Sequence, residues 1–197
     1  VIPKEFSLDA YRMVFANNAT VFRAYVVTII VAVVGTTMSV IFSTQFAYSI
    51  SRKNFAMKGV LSFAVYFTML FSGGQVPMYI LITRYLHLKN NLLAIILPNA
   101  VSGWNIFMLR TYISALPDEL IEAAKIDGAS EFEIFYKIIV HLAVGGIMTV
   151  TLTTALGYWN DWMSSLLYIS DPKLYSLQYL LQTLLGKVEF MQKSSMQ

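Results

Sequence analysis

The chain has 197 residues, of which 57% are hydrophobic and 13% are charged. Its mean hydropathy of +0.61 is too apolar for an ordinary soluble domain. The net charge of +3 is small and scattered, so it indicates neither a nucleic-acid partner nor an acidic substrate. With no cysteine, the sequence offers no disulfide framework and no thiolate metal site.

Residues 1–22 are of mixed polarity, with Phe6, Leu8, Tyr11 and Phe15 at loosely helical spacing. Such a run could lie on a membrane surface, but its weak periodicity favours an ordinary connector outside the membrane. The chain begins with valine, and no basic-then-apolar leader follows. We therefore expect a fragment or a cropped domain.

Long runs without charged residues dominate the rest of the chain. A hydrocarbon core requires about 20 apolar residues in a helix. We predict spans at about residues 24–51, 59–83, 90–110 and 142–165. The predicted fold is an all-α polytopic membrane bundle, with residues 1–197 forming one transmembrane domain.

Glycine has a predicted structural effect in two of these runs. Gly73, Gly74 and Pro77 break the second run, which predicts a kinked span end or a re-entrant piece lining a cavity. The pair Gly145 and Gly146 in the fourth run would let another backbone approach closely.

Loop charges predict the orientation of the spans. Arg52, Lys53 and Lys58 form a short loop with three bases and no acid, which the positive-inside rule places in the cytoplasm. Four crossings then put the polar segment before the fourth span on the same side as this loop. Both ends of the chain fall on the outer side.

That polar segment, residues 116–141 (the acidic segment), holds six of the eleven acidic residues. Pro117 suits a first helical position, and Gly128 suits the residue after a helix, where φ is positive. Ser130 and Glu133 have the spacing of a capping box. We predict a short helix, a glycine turn and a helix that runs into the next span.

The two helices of the acidic segment have predicted faces. Asp118, Glu122 and Lys125 should share one face of the first helix. A second face of this helix should consist of Leu120, Ala123 and Ala124. The small alanine side chains would let this face enter a groove on a partner. In the second helix, the expected apolar face consists of Phe132, Phe135, Tyr136 and Ile139. A solvated charged surface is the alternative interpretation of the acids.

The acidic segment also resembles a known family. Glu122-Ala123-Ala124, followed by Gly128 and Ile138, is similar to the EAA–G–I-LP signature of permease subunits of bacterial ABC importers, although Val140-His141 stands in place of Leu-Pro. The surrounding sequence resembles the carbohydrate-uptake branch, the maltose and oligosaccharide type. Phe71–Pro77 also looks like the corresponding stretch in permeases for complex sugars.

The resemblance implies a MetI-like permease fold in the bacterial plasma membrane, whose first and last spans lie outside this fragment. It implies a second permease subunit, two cytoplasmic ATP-binding subunits and an extracytoplasmic solute-binding protein. ATP would be bound by the partner, so no cofactor is expected here. The contacts with the ATPase subunit are expected at Leu120, Glu122, Ala123, Ala124, Asp127 and Gly128.

Several polar residues lie in or beside the predicted spans. They are expected either to face a translocation path or to pack against neighbouring helices, and the sequence leaves both open: Gln75, Asn99, Asn105, Asn160 and Asp161. For Asp161, the flanking tryptophans favour a membrane interface. His87 is expected in a surface loop. His141 is expected at the interface, with a pH-sensing role as the alternative.

No Walker-type glycine loop or hydrolase motif is present, so we expect no enzyme activity from this chain alone. The leading hypothesis is a permease subunit of a sugar or oligosaccharide importer. A permease of the same fold for another solute, such as an amino acid or a peptide, is the second. A membrane scaffold whose polar helix recruits a partner without transport is the third.

Overall fold

The computed structural model describes residues 18–53 and 55–194, which form helices and connecting turns without a β-strand. Of the connector predicted at residues 1–22, residues 1–17 lie outside the described residues, and residues 18–22 are not a connector but the start of the first helix. Helix α1 (Asn18–Ser51) is the longest element, with 34 residues. At 1.5 Å per residue it is about 51 Å long. The all-α prediction is confirmed for the described residues.

Ten further α-helices follow α1 in the described part of the chain: α2 (Lys58–Leu70), α3 (Gln75–Ile80), α4 (Leu93–Ile96), α5 (Gly103–Ser114), α6 (Asp118–Ile126), α7 (Glu131–Glu133), α8 (Val140–Leu142), α9 (Val144–Asn160), α10 (Met163–Tyr168) and α11 (Leu177–Ser194). π-Helical turns extend α3 through Leu81–Tyr85 and join α7 to α8 through Ile134–Ile139. Short 3-10 turns cover Leu97–Asn99 and Pro172–Leu174.

Among the described residues, one helix, Ala19–Ser51, is long and apolar enough to cross a membrane by itself. Up to four crossings result if each of three bent helix pairs counts as one span. The pairs are Lys58–Leu70 with Gln75–Tyr85 (bent by 110°), Leu93–Asn99 with Gly103–Ser114 (49°) and Glu131–Leu142 with Val144–Asn160 (77°). The break predicted in the second run is present, and Gly74 takes a φ of +83° in its turn.

The acidic segment does not continue straight into the next span. Ala143, with φ −87° and ψ 11°, separates α8 from α9, and the chain bends there by 77°. A proline is therefore not needed for the break, which lies just beyond Val140-His141.

Helix α1 is the centre of the bundle and packs mainly against α9 and α5. Gly35 of α1 allows a close approach, because a Cβ atom there would lie 2.5 Å from the ring of Tyr158. The hydroxyl of Tyr158 in turn donates a 2.8 Å hydrogen bond to the carbonyl of Ile96. The buried tyrosine thus ties α9 to α1 and to the end of α4.

The two glycines of α9, Gly145 and Gly146, differ in how closely a neighbouring helix approaches them. A Cβ atom at Gly146 would lie 2.5 Å from Cγ of Tyr112, whereas one at Gly145 would meet nothing within 4 Å. The predicted close approach is therefore found at Gly146 alone, and the neighbour is a side chain of α5 rather than a backbone.

Candidate functional site

The acidic segment begins with α6, whose first turn carries Asp118 and Glu119. These carboxylates lie near the positive end of the helix dipole, where negative charge is favourable. Pro117 was predicted at the first helical position, but it precedes the helix as its N-cap. The reason is its ψ of 129°, which is extended and lies outside the helical region.

The turn after α6 confirms the prediction for Gly128, which has a φ of +81°. The amide of Ala129 donates to the carbonyl of Ala124 at 2.9 Å, and the amide of Gly128 donates to the carbonyl of Lys125 at 3.1 Å. These two bonds form a Schellman motif, which satisfies carbonyls left free at the helix end. The turn therefore fixes the direction in which the chain leaves α6.

The predicted capping box is also present. The amide of Glu133 donates to Oγ of Ser130 at 3.3 Å, and the amide of Ser130 donates to Oε2 of Glu133 at 3.1 Å. Two backbone amides at the start of α7 are thereby satisfied.

The apolar face predicted for the second helix is half wrong. Ile139 is fully buried and Phe135 packs against the core, as predicted, whereas Phe132 and Tyr136 are 72% and 64% exposed. Ile134, which was not part of the predicted face, is also fully buried. The buried pair is spaced by five residues because Ile134–Ile139 is π-helical and not α-helical. The rings of Phe132, just before the π turn, and Tyr136, within it, stack on the exposed side with a centroid distance of 6.3 Å.

The face predicted for Leu120, Ala123 and Ala124 is divided in the structure. Ala124 is buried and packs with Ile121 in the core of this chain, so its inclusion in an accessible face is wrong. Leu120, Ala123 and Asp127 are exposed together, as expected for residues at i, i+3 and i+7 of one helix. They form the outward face of α6.

Glu131 is the centre of a charged cluster that joins the acidic segment to the end of α1 (the Glu131 cluster). Its Oε2 accepts a 2.6 Å hydrogen bond from the hydroxyl of Tyr48. Its Oε1 lies 2.7 Å from Nζ of Lys125 and 3.3 Å from Nη2 of Arg52. One carboxylate thus links α1, α6 and α7.

These contacts favour the ionised carboxylate of Glu131. Partial burial raises its pKa, but hydrogen bonds from Lys125 and Tyr48 and the charge of Arg52 outweigh that effect and lower the pKa to about 2. The carboxylate therefore remains charged throughout the physiological pH range.

A second ion pair, between Lys53 and Asp118, joins the basic loop to the start of α6. It lowers the pKa of Asp118 and raises that of Lys53. A cleft of about 600 Å³ lies beside it, and Glu122 and Lys125 contribute to its lining. The predicted shared face of Asp118, Glu122 and Lys125 is confirmed, and it is turned toward this chain's own basic loop.

A second concave region lies at the far end of α9 from the acidic segment. This groove, of about 670 Å³, contains the exposed ring of Trp104 and is called the Trp104 groove. Four of the five predicted polar residues line it: Asn99, Asn105, Asn160 and Asp161. The fifth, Gln75, is exposed at the start of α3 and does not line the groove.

Three of these four polar residues form side-chain hydrogen bonds within the chain. Asn105 donates to Oγ1 of Thr154 at 3.0 Å, a contact that packs α5 against α9. Asn160 donates to the carbonyl of Leu156 and accepts from Gln178. Asp161 accepts the amide of Ser164 at Oδ1, while its Oδ2 is buried without a hydrogen-bond partner.

The remaining candidates lie away from both regions. His87 is exposed in the turn after the π-helical segment, with a φ of +52°, as predicted for a surface loop. His141 is exposed in α8. Sequence reasoning missed Tyr48, because a tyrosine at a span end carries no signal for a carboxylate 83 positions away. It also missed Ile126, which is 87% exposed beside the outward face of α6.

Comparison with known proteins gives a consistent result. The chain is 38% identical over 182 residues to the polygalacturonan/rhamnogalacturonan transport system permease protein YtcP of Bacillus subtilis, covering 92% of this chain and 63% of that protein. It is 39% identical over 182 residues to protein LplC of the same organism, covering 92% of this chain and 61% of the relative. The chain thus spans less than two thirds of either relative.

A solved structure shows the same fold. It is the crystal structure of a bacterial ABC transporter involved in the import of the acidic polysaccharide alginate, and one of its chains matches with a TM-score of 0.86 and 29% identity. The match covers 93% of this chain and 65% of that chain. In addition, the model of the binding-protein-dependent transport system inner membrane component family matches residues 25–187. This chain therefore belongs to the family of inner membrane components of binding-protein-dependent transport systems.

Proposed function

We propose that the protein is a permease subunit of an ATP-driven ABC importer for a sugar or oligosaccharide. Family membership and the names of the relatives support this class of function. The subunit would form half of a translocation pathway in the bacterial plasma membrane, together with a second permease subunit. A solute-binding protein would deliver the sugar from outside, and this chain would have no enzymatic activity of its own.

The outward face of α6 is the observation that carries the proposal. Leu120, Ala123 and Asp127 project from a helix whose other side is buried and whose end is held by the Gly128 turn. A protruding helix fixed in this way suits recognition by a groove on a partner. We assign that partner as the cytoplasmic ATPase subunit, which would bind ATP.

The Glu131 cluster gives this face a mechanical connection to the bundle. Force applied to α6 would reach α1 through Lys125, Glu131 and Tyr48. α1 is in turn packed along α5 and α9. Coupling between ATP hydrolysis and transport requires contacts that differ in free energy between two states of the spans. The contacts between α6 and the ATPase subunit would supply that difference.

In this arrangement Ala124 and Gly128 support the docking face from behind and do not contact the ATPase subunit. Ala124 packs against the core, and Gly128 provides the turn. Glu122 lies at the edge, beside the basic loop. The direct contacts would therefore come from Leu120, Ala123 and Asp127.

Site-directed crosslinking tests the docking face. Residues 1–197 contain no cysteine, so Ala123→Cys and Ala124→Cys each place a single thiol at a chosen position of this segment. A thiol-reactive photocrosslinker in intact membranes should capture an ATPase subunit from position 123, and much less from the buried position 124. Capture from neither position, or equal capture from both, would contradict the assignment.

Uptake into reconstituted vesicles tests the function as a whole. With the complete set of subunits, oligosaccharide uptake should depend on ATP and on the solute-binding protein. Uptake of an amino acid or a peptide instead would favour a permease for another solute. Partner recruitment without any uptake would favour a scaffold.

A further inference from the structure

The start of α11 is fixed against α1 by buried polar contacts. The amide of Leu177 donates a 2.9 Å hydrogen bond to Oγ1 of Thr28, and both residues are buried. The preceding residue, Ser176, is also buried and accepts a 2.9 Å hydrogen bond from the hydroxyl of Ser165 in α10. The first residue of α11 is therefore held at one level of α1.

The position of Thr28 in α1 relates that level to the bilayer. Residues 24–51 of α1 contain no charge, and Thr28 lies about 14 Å from the middle of this run at the helical rise per residue. The hydrocarbon core of a bilayer extends about 15 Å to each side of its centre. With the middle of the run at that centre, α11 begins where the hydrocarbon meets the headgroups, on the side of the membrane opposite Arg52.

One side of α11 is a continuous apolar stripe (the leucine stripe). Its members have the spacing i, i+3, i+4, i+7 and i+8 of a single helix face: Leu177, Leu180, Leu181, Leu184 and Leu185. The stripe is buried where it begins, at Leu177, but Leu181, Leu184 and Leu185 are exposed, the last by 60%. The described residues of this chain therefore leave most of the leucine stripe uncovered.

The opposite side of α11 is mainly polar. It carries Gln178, Gln182 and Thr183, with Phe190 as an exposed aromatic exception. Lys187 lies at the edge of the leucine stripe, where a long basic side chain can reach the headgroups while its methylene groups cover apolar surface.

This composition decides between crossing the membrane and lying on it. α11 is not among the described helices that are long and apolar enough to cross a membrane. A helix with one apolar and one polar side and a low net hydrophobicity lies in the plane of the interface, with its apolar side toward the acyl chains. Residues 181–187 are all exposed, so nothing in the described part of this chain prevents that contact.

We propose that α11 lies on the bilayer surface and that its leucine stripe contacts the acyl chains of the lipids. Two independent observations support this placement: the depth of the anchored start, which α1 determines, and the stripe, which belongs to α11 itself. The inference rests on the proposed function only in that α1 is a membrane span, and it does not depend on the solute. α11 would hold the connection from α10 at the level of the membrane surface.

Electron paramagnetic resonance of spin labels tests this placement on the complete transporter in lipid nanodiscs. Residues 1–197 contain no cysteine, so Leu181→Cys, Leu185→Cys and Gln182→Cys each place one label at a chosen position, once cysteines elsewhere in the transporter are replaced by serine. Molecular oxygen concentrates in the bilayer, whereas the nickel complex NiEDDA stays in water. The ratio of oxygen to NiEDDA collision rates should be several-fold higher at the two leucine positions than at Gln182.

Two further positions supply the references. Val33→Cys lies on an exposed part of α1 within the charge-free run, and its label should favour oxygen. Lys173→Cys lies in the exposed turn before α11, and its label should favour NiEDDA.

Two results would overturn the proposal. Equal ratios at the three positions of α11 would mean that no side of the helix faces the lipid. Protection of the two leucine positions from both reagents would show that protein covers the stripe, either a partner subunit or the solute-binding protein. With a Val33 label that favours oxygen, these results leave the proposed permease intact. A Val33 label that favours NiEDDA would contradict the span itself, and the proposed function with it.

Discussion

The hydroxyl of Tyr48 donates a 2.6 Å hydrogen bond to Oε2 of Glu131, across a separation of 83 positions in the sequence. The tyrosine is buried near the end of α1, and the carboxylate belongs to the acidic segment. Arg52 lies 5.4 Å from the centre of the tyrosine ring and also pairs with Glu131. The orientation of the acidic segment on the bundle therefore depends on a small set of polar contacts that can be tested singly.

The first prediction concerns Tyr48→Phe, which removes the hydroxyl and keeps the ring. Loss of one hydrogen bond to a charged group should cost about 1–2 kcal/mol. The melting temperature in detergent should fall by about 2–4 °C for each kcal/mol lost. Tyr25→Phe is the control, because Tyr25 lies in the same helix but is 44% exposed. Equal decreases in melting temperature for the two variants would show that the hydrogen bond from Tyr48 to Glu131 makes no particular contribution to stability.

The second prediction is a pH dependence from Glu131. Its pKa is lowered from 4.5 to about 2 in the folded protein. A lowered pKa stabilises the folded state above the unfolded-state pKa, and this stabilisation disappears as pH falls through the folded-state pKa. The difference in melting temperature between wild type and Glu131→Gln should therefore be constant from about pH 6 to 8. It should shrink as pH falls from 4.5 toward 2.

Comparing the variant with the wild type isolates this contribution, because Glu133, whose pKa is also lowered to about 2 by Lys137 and Ser130, is present in both proteins. A difference that changes between pH 6 and 8 would show that some other group titrates with the cluster. A difference that persists below the folded-state pKa would show that the ionised carboxylate contributes nothing to stability.

Local features of the acidic segment were predictable from sequence, because they depend on residues close together in the chain. The Gly128 turn needs a residue that tolerates positive φ, and the Ser130–Glu133 box needs two side chains three positions apart. The break at Gly73–Pro77 was also predictable, since Gly and Pro act on their own backbone. These three features are confirmed, whereas the bends after Asn99 and at Ala143 were not predicted.

Features that depend on rotation of a helix or on distant partners were not predictable. The extra residue in the turn at Ile134–Ile139 lets Ile134 and Ile139 both be buried at a spacing of five, and no residue type predicts a π-helix. Ala124 has the small side chain expected of either a buried or a docking position. Four of the polar candidates line the Trp104 groove, but their hydrogen bonds depend on how α5, α9 and α10 meet, which the sequence does not show.

The third prediction concerns the conformation of Gly128. No atom lies within 4 Å of a Cβ built there, so substitution should act through backbone strain and not through a clash. A left-handed conformation costs an ordinary residue about 1–2 kcal/mol, and asparagine tolerates it better than alanine. Uptake should therefore be highest with the native Gly128 and should decrease in the order Gly128→Asn, Gly128→Ala and Gly128→Val. ATP hydrolysis by the complete transporter should persist in all three variants.

Gly59→Ala is the control for this series, because Gly59 has open space around it and an ordinary helical φ. It should leave uptake unchanged. If Gly128→Val transports as well as the wild type, the turn does not need a left-handed residue, and the Schellman geometry cannot be what holds α6 in place.

The last prediction compares Gly145→Ala with Gly146→Ala, two identical changes at adjacent positions of α9. A Cβ atom at Gly146 would lie 2.5 Å from Cγ and 3.0 Å from Cβ of Tyr112. Rotation about the Cα–Cβ bond of Tyr112 would move Cγ but leave Cβ in place, so relief requires a changed tyrosine rotamer together with a small separation of the helices. Overpacking of this kind costs about 1–3 kcal/mol.

Gly145→Ala meets no atom within 4 Å, and alanine is the better helix former, so this variant should be neutral or slightly stabilising. Melting temperatures of the two proteins in detergent provide the measurement. Tyr112→Ala in the Gly146→Ala background removes Cγ and should recover part of the loss, because the 2.5 Å overlap is with that atom. Equal melting temperatures for the two single variants would mean that α5 and α9 do not meet at Gly146, and the packing described for the bundle would then be wrong at that contact.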